Sequence, residues 1–363
     1  MASSVSLTLP SDLLLRGPRA GSVSVGLLVP VSGVMGVAGP SILNCAVLAA
    51  EEVNEHTDTP IELVLIDAGR AAGDVAREVD LLVGAGLVEG LVGTHTSNVR
   101  AAVEAVLADR VPYVFTPPHE MSHEESSSIF LGSDPDEQLR QPLAWISRHR
   151  RATRWVLIGN DYVWPRKVHS AARRVLRELG QTVVMERLVP IGKVDVAELI
   201  AAATAAKADA ILVSLVGRDG IEFHRGVTGL NAGGRFLRLC TALDENCLVA
   251  AGGDDTGQLF AAMPSFILQS DDRHDRLLEA YVARFGLQAP APGSYAEGCY
   301  DGVHLIATLC LSGLLASRSA ATAAEWLLAD GGAASVAMGG RKSMSMARAN
   351  GTDLEVVVGA ANL

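Results

Sequence analysis

Aromatic side chains make up only 4% of this 363-residue chain. The few that stand in loops therefore gain weight as contacts for a small molecule. No apolar stretch approaches the about 18 residues that a membrane span needs. The formal charge is −11, from 30 basic and 41 acidic residues. No Lys/Arg-rich run offsets it, which argues against direct nucleic-acid binding, because that affinity rests on phosphate neutralisation. Five cysteines (45, 240, 247, 299 and 310) are odd in number and lie in mostly apolar settings. They read as reduced core thiols, not a disulfide framework. Neither GxxxxGK[ST] nor GxSxG occurs. Gly84-Ala85-Gly86 with Gly90 lies at a helix end before a strand, the reverse of a dinucleotide-binding turn.

What is present is a chain longer than a typical domain of about 150 residues, so two lobes are expected. Hydrophobic residues make up 49%, enough for a large core. Strands over 23–31, 61–67, 88–93 and 111–115 alternate with helices over 40–54, 74–84 and 98–107. Ser133-Asp134-Pro135 then reads as a crossing point, because Asp-Pro breaks regular structure. A second series follows, with strands over 155–159, 182–188, 210–215, 236–240 and 259–264 and helices over 166–179, 194–206 and 220–230. Helices over 273–285, 295–315 and 320–328 come next. The segments 342–348 and 354–358 around Asn350-Gly351 read as a hairpin. Such alternation predicts parallel sheets covered by helices.

Three strands end in polar or aromatic turns. Leu91-Val92-Gly93 runs into Thr94-His95-Thr96-Ser97-Asn98, the strand over 111–115 into Thr116-Pro117, and the strand over 155–159 into Asn160-Asp161-Tyr162-Val163-Trp164-Pro165-Arg166. Turns at the carboxyl ends of α/β strands are where ligands bind. Nothing in them supplies a catalytic set, so the chain reads as a binding protein that needs no cofactor. His119-Glu120-Met121-Ser122-His123 matches HExxH, which would support a metal hydrolase. It lacks helical periodicity, and reads as a surface loop with no metal.

With these residues in order, the chain resembles the type I periplasmic-binding-protein superfamily over about 23–358, and most closely its amide- and urea-binding branch. That branch includes the amide sensor of aliphatic amidase operons. The marks are Gly26-Leu27-Leu28, the helix over 46–54, Gly93 with Thr96-Ser97, Thr116-Pro117, the 160–166 turn, Leu215-Val216-Gly217 and Tyr295-Ala296-Glu297. The resemblance implies two doubly wound α/β lobes, joined by three hinge crossovers, that close on a ligand. The expected division is a disordered leader over 1–22, an N-terminal lobe over 23–133 plus 270–337, and a C-terminal lobe over 134–269 plus 338–363. It also implies ligand contacts at Ser97, Thr116 and Tyr162, with Thr96, His95, Pro117, Trp164 and Thr241 around them. Ser97 could instead cap the helix that follows.

Relatives that bind amino acids place a carboxylate for the ammonium in the loop that begins here Thr241-Ala242-Leu243. That loop opens without one, which favours a neutral polar ligand such as a short amide or urea. Asp219 and Asp244 are the alternative ammonium partners. Two outputs stay open. One is a cytoplasmic sensor acting on a regulator protein, as in control of transcription antitermination. The other is an exported component that serves an ABC permease for amides, urea or branched-chain amino acids. The N-terminal residues do not read as a signal peptide, which favours the cytoplasm unless such a peptide has been removed. A homodimer is compatible with either.

Overall fold

Val23–Val29 is a run of seven buried residues and forms the first strand. A strand covered by helices on both faces is apolar throughout, because neither set of side chains meets water. The computed structural model describes residues 7–120, 126, 128–269, 271–314, 317–329 and 344–359. In chain order the elements begin with α1 (Pro10–Arg16), β1 (Val23–Val29), α2 (Gly39–Glu55), β2 (Ile61–Asp67), α3 (Ala72–Gly84) and β3 (Gly90–Gly93). Then come α4 (Ser97–Leu107), β4 (Tyr113–Phe115), β5 (Ile129–Phe130), α5 (Pro135–His149), β6 (Arg154–Asn160) and α6 (Val163–Glu178). They continue with β7 (Thr182–Val189), α7 (Val196–Ala205), β8 (Ala210–Ser214), α8 (Gly217–Gly229), β9 (Leu237–Cys240) and α9 (Glu245–Ala251). The last are β10 (Leu259–Met263), α10 (Asp272–Phe285), α11 (Ser294–Leu311), α12 (Ser317–Ala329), β11 (Ser345–Asn350) and β12 (Asp353–Val358).

The chain divides into two units. Unit 1 comprises Met1–Pro117, Met121–Gly132 and Asp271–Arg341, and unit 2 comprises Pro118–Glu120, Ser133–Ser270 and Lys342–Leu363. Unit 1 holds a five-stranded sheet in the order β2-β1-β3-β4-β5, and every neighbouring pair is parallel. Two helix pairs cover it, α2 with α11 and α3 with α4. Unit 2 holds a seven-stranded sheet in the order β12-β11-β10-β9-β8-β6-β7. Its strands are parallel from β7 to β10, and β11 and β12 add an antiparallel hairpin. In each unit the first strand of the parallel series sits between the second and the third. The chain therefore reverses its winding at β1/β3 and again at β6/β8. Both units are doubly wound α/β sheets, as the strand–helix alternation predicts.

Three local expectations fail. The leader is not disordered from residue 7 onward. Thr8 pairs with β2 through two backbone hydrogen bonds of 2.9 Å, and Leu13 of α1 is fully buried in the core beside Val64 and Ile66. The carboxylate of Glu62 accepts from Thr8 and Arg16, which ties the segment down. The chain does cross between the units at Gly132–Ser133, as expected, yet Asp134-Pro135 does not break structure; it starts α5. The Asp134 side chain accepts from the N–H groups of Asp136 and Glu137, and Glu137 answers in a capping box. Pro135 costs nothing at the first helical position, because that N–H has no helical partner anyway. The two-residue strand β5 was not expected at all. The start of the expected hairpin, residues 342–343, lies outside the described residues.

Candidate ligand-binding site

In unit 1, beside the winding reversal at β1/β3, parallel pairing brings the ends of β3 and β4 side by side, with Gly93 opposite Phe115. Residues just beyond those ends meet as a result. Thr94 Oγ1 lies 2.7 Å from Thr116 Oγ1, and the Thr116 N–H donates to the Gly93 carbonyl at 3.0 Å. Helix α11 crosses here on glycines. A Cβ at Gly302 would stand 2.6 Å from Thr116 Cγ2, so a small residue is required for this approach. Helix α4 starts at Ser97, which is buried. Thr96, half-buried and extended, is the N-cap residue but makes no side-chain cap. The capping role expected of Ser97 thus belongs by position to Thr96, and Ser97 is the first helical residue. Pro117 is buried directly after Thr116.

His95 goes elsewhere. Its ring is 2% exposed, with Nε2 2.8 Å from the Tyr113 hydroxyl and its edge against Phe115. Tyr113 and Phe115 are core residues, so His95 serves the interior of unit 1. Burial, with Arg100 nearby, brings its pKa down to about 4. The loop after β1 is ordered by Asp67, which accepts from the N–H groups of Val31, Ser32 and Gly69 and from the Ser32 hydroxyl. Burial opposes ionisation of Asp67, yet these hydrogen bonds, Ser32's foremost, hold its carboxyl below the usual range.

In unit 2 the reversal at β6/β8 is held by Asn160, the last residue of β6 and fully buried. Its Oδ1 accepts from the Val216 N–H at 2.9 Å, and its Nδ2 donates to Asp219 at 2.5 Å. Asp219, also fully buried, accepts from the Gly192 N–H at 2.9 Å as well. Tyr162 follows as the extended N-cap residue of α6, half-buried, with its ring 6.5 Å from that of Trp164. Burial, and then the charge of Glu120, push the Tyr162 phenol well above its ordinary pKa, so it stays a neutral donor. Trp164 is 4% exposed, and its indole N–H has no hydrogen-bond partner among the described residues.

Thr241 is less available than expected. It is fully buried, its hydroxyl is directed at the Val213 carbonyl at 3.4 Å, and its own carbonyl accepts from Gln138 at 2.9 Å. Asp244 caps α9 by accepting from the Cys247 N–H, and burial raises its carboxyl pKa. Glu245 accepts from the Ile267 N–H. Each carboxylate near this loop already has an internal partner.

The HExxH match is placed only in part, since His123 lies outside the described residues. His119 and Glu120 are buried and not helical, against the expected surface loop. Among the described residues no three His, Cys, Asp or Glu side chains could hold a metal ion. No described helix is long and apolar enough to cross a membrane.

Sequence reasoning missed Thr94 and the Asn160–Asp219 pair. Thr94 had a signal, since it stands at the same distance past its strand as Thr116 does. The Asn160–Asp219 pair had none, because 59 positions separate its members.

The sequence profile of the family described as Periplasmic binding protein matches residues 22–324, well over half of the chain. The Leu/Ile/Val-binding protein BraC3 of Rhizobium johnstonii is 22% identical over 211 residues, or 56% of this chain and 57% of that protein. The match thus spans little more than half the length of this curated relative. Among solved structures, LivJ of Streptococcus pneumoniae in complex with isoleucine superposes with a TM-score of 0.78 at 18% identity, covering 93% of this chain and 99% of LivJ. The leucine-binding protein LivK of Thermotoga maritima gives 0.80 at 16% identity, covering 94% and 100%. A solute-binding protein of an ABC transporter from R. palustris, in complex with benzoate, gives 0.77 at 16% identity, covering 93% and 96%. At these identities the superpositions speak for the fold, and the matching profile speaks for descent. The chain belongs to the periplasmic binding protein family, and its fold is that of the type I members.

Proposed function

We propose that this protein is a non-enzymatic solute-binding protein that delivers a small organic molecule to an ABC permease. The observation that carries the reading is the placement of hydroxyl and aromatic residues at or beside the two winding reversals. Ser97 and Thr116 stand at the ends of β3 and β4, and Tyr162 and Trp164 stand after β6. Open α/β sheets bind ligands at such points. Relatives described as ABC transporter proteins support this output over a regulatory sensor. The expected cytoplasmic placement draws no support from them.

The ligand class follows from charge. An ammonium group needs a buried carboxylate, because an unpaired buried charge costs several kcal/mol. Asp219, Asp244 and Glu245 are all engaged internally. The reading is therefore a carboxylate or carboxamide on an apolar body without an ammonium group. Benzoate-like acids and short amides both fit that description. Calorimetry with benzoate, propionamide and isoleucine tests it, with isoleucine expected to bind most weakly of the three. Isoleucine binding the tightest would sink the class. Ser97→Ala and Tyr162→Phe should each weaken the preferred probe by about five- to 150-fold, the effect of losing a buried hydrogen bond of ~1–3 kcal/mol. Wild-type affinity in both variants would place the site elsewhere.

A further inference from the structure

Unit 2 contains a chain of polar side chains that the proposed site does not use directly. His169 of α6 is fully buried, with Nε2 2.9 Å from Ser214 Oγ and Nδ1 3.0 Å from Glu186 Oε1. Arg173, one turn further along α6, donates to the other oxygen of Glu186. A serine, a histidine and a carboxylate in this order share the geometry of a hydrolase triad. Ser214 is fully buried as the last residue of β8, out of reach of any substrate. The chain must do something else.

Its connections say what. Glu186 belongs to β7, His169 and Arg173 to α6, and Ser214 to β8, at the edge where the winding reverses. A Cβ at Gly159 of β6 would stand 2.3 Å from Ser214 Oγ and 3.0 Å from both His169 Nε2 and Pro165 Cβ. The strand is thus cut back to let these groups meet. Tyr162 makes no side-chain cap on α6, so the start of that helix is placed by its neighbours. A carboxylate can only accept, so Nδ1 of His169 carries the proton and Nε2 accepts from the Ser214 hydroxyl. Glu186 and Arg173 are the charged groups that face the ring.

We propose that His169 is a positioning residue for ligand binding: bridging Glu186 and Ser214 as the Nδ1–H tautomer, it fixes the first turn of α6 with Tyr162 and Trp164. This rests on the reading of those two residues as ligand contacts. Nitrogen NMR of histidine-labelled protein, assigned with His169→Gln, should show His169 protonated at Nδ1 alone. Glu186→Leu, which removes the acceptor facing Nδ1, should let the proton move to Nε2, a change that a purely space-filling histidine would not show. Ser214→Ala should speed hydrogen exchange of the amides over 162–168 by on the order of tenfold while leaving β9 unchanged. An Nε2–H tautomer in the wild type, or uniform acceleration across unit 2, would overturn the proposal. Binding is measured with whichever of benzoate, propionamide and isoleucine most raises the wild-type melting temperature. Ser214→Ala should weaken that probe along with Tyr162→Phe. Weakening by Tyr162→Phe alone defeats the positioning role, whereas no effect from either variant defeats the ligand reading of the turn.

Discussion

The two units wind their sheets in the same order and finish the winding reversal with opposite chemistry. Unit 1 leaves hydroxyls at it and beside it: Thr94 bonds Thr116, Ser97 opens α4, and glycines of α11 make room. Unit 2 fills the same topological place with a carboxylate–amide lock, in which Asp219 takes Asn160 and Gly192 while Asn160 takes Val216. Its aromatic residues come one step later, on α6. Topology therefore decides where strand ends diverge, and side chains decide whether that place is filled or left for a ligand. Unit 1 presents hydroxyls at its strand ends, and unit 2 presents aromatic rings at the start of α6.

The strongest way to break this contrast is to remove the lock. Asp219→Ala strands one buried donor, Asn160 Nδ2, while the exposed Gly192 N–H can turn to water, so unit 2 should lose about 1–3 kcal/mol in urea unfolding. A loss below about 1 kcal/mol would mean that Asp219 is not a lock. Acid should come next, and it should act on each unit through a different histidine. His95 in unit 1 is held to about 4, and His224 in unit 2, by burial and then Arg238, to about 3. Both values lie below the unfolded value, so the unfolded chain takes up the proton first as pH falls. The stability they contribute is full above about pH 6.5 and is lost below it, levelling off near each folded pKa. For His95 this amounts to on the order of 3 kcal/mol. His95→Gln should flatten the acid limb above pH 4, and an unchanged limb would show that His95 is not its source.

Smaller effects sharpen the picture of unit 1. Gly302→Ala puts a methyl group into Thr116 and should cost ~1–3 kcal/mol of stability. It should also weaken ligand binding, since it displaces a proposed contact. Affinity that stays at the wild-type level in this variant would remove Thr116 from the site. Thr94→Val should cost only about 1 kcal/mol, the net worth of its bond to Thr116, read as a small fall in melting temperature.

Much of this arrangement is legible in the amino-acid order. Parallel strands buried on both faces announce themselves as apolar runs, and polar turns at their ends mark the edge where ligands bind. Side-chain direction at those turns is not legible. His95 stands in the expected turn, but its ring is claimed by Tyr113 on the next strand. Asp219 stood out as a candidate ammonium partner, and only the fold brings Asn160 to it. Helix α5 was readable in principle, because Asp134 and Glu137 carry the spacing of a capping box. Strand β5, at two residues, is too short to show any period.

The hairpin of β11 and β12 has a consequence for how the protein is made. Unit 2 receives these strands only after the chain has returned to build α10 and α11 in unit 1. Unit 1 is not complete until α11 has been synthesised, nor unit 2 until the hairpin has, which disfavours folding of the amino-terminal part first. A nascent chain stopped short of Ser345 would leave β10 without its antiparallel neighbour, an open edge that invites pairing with other chains.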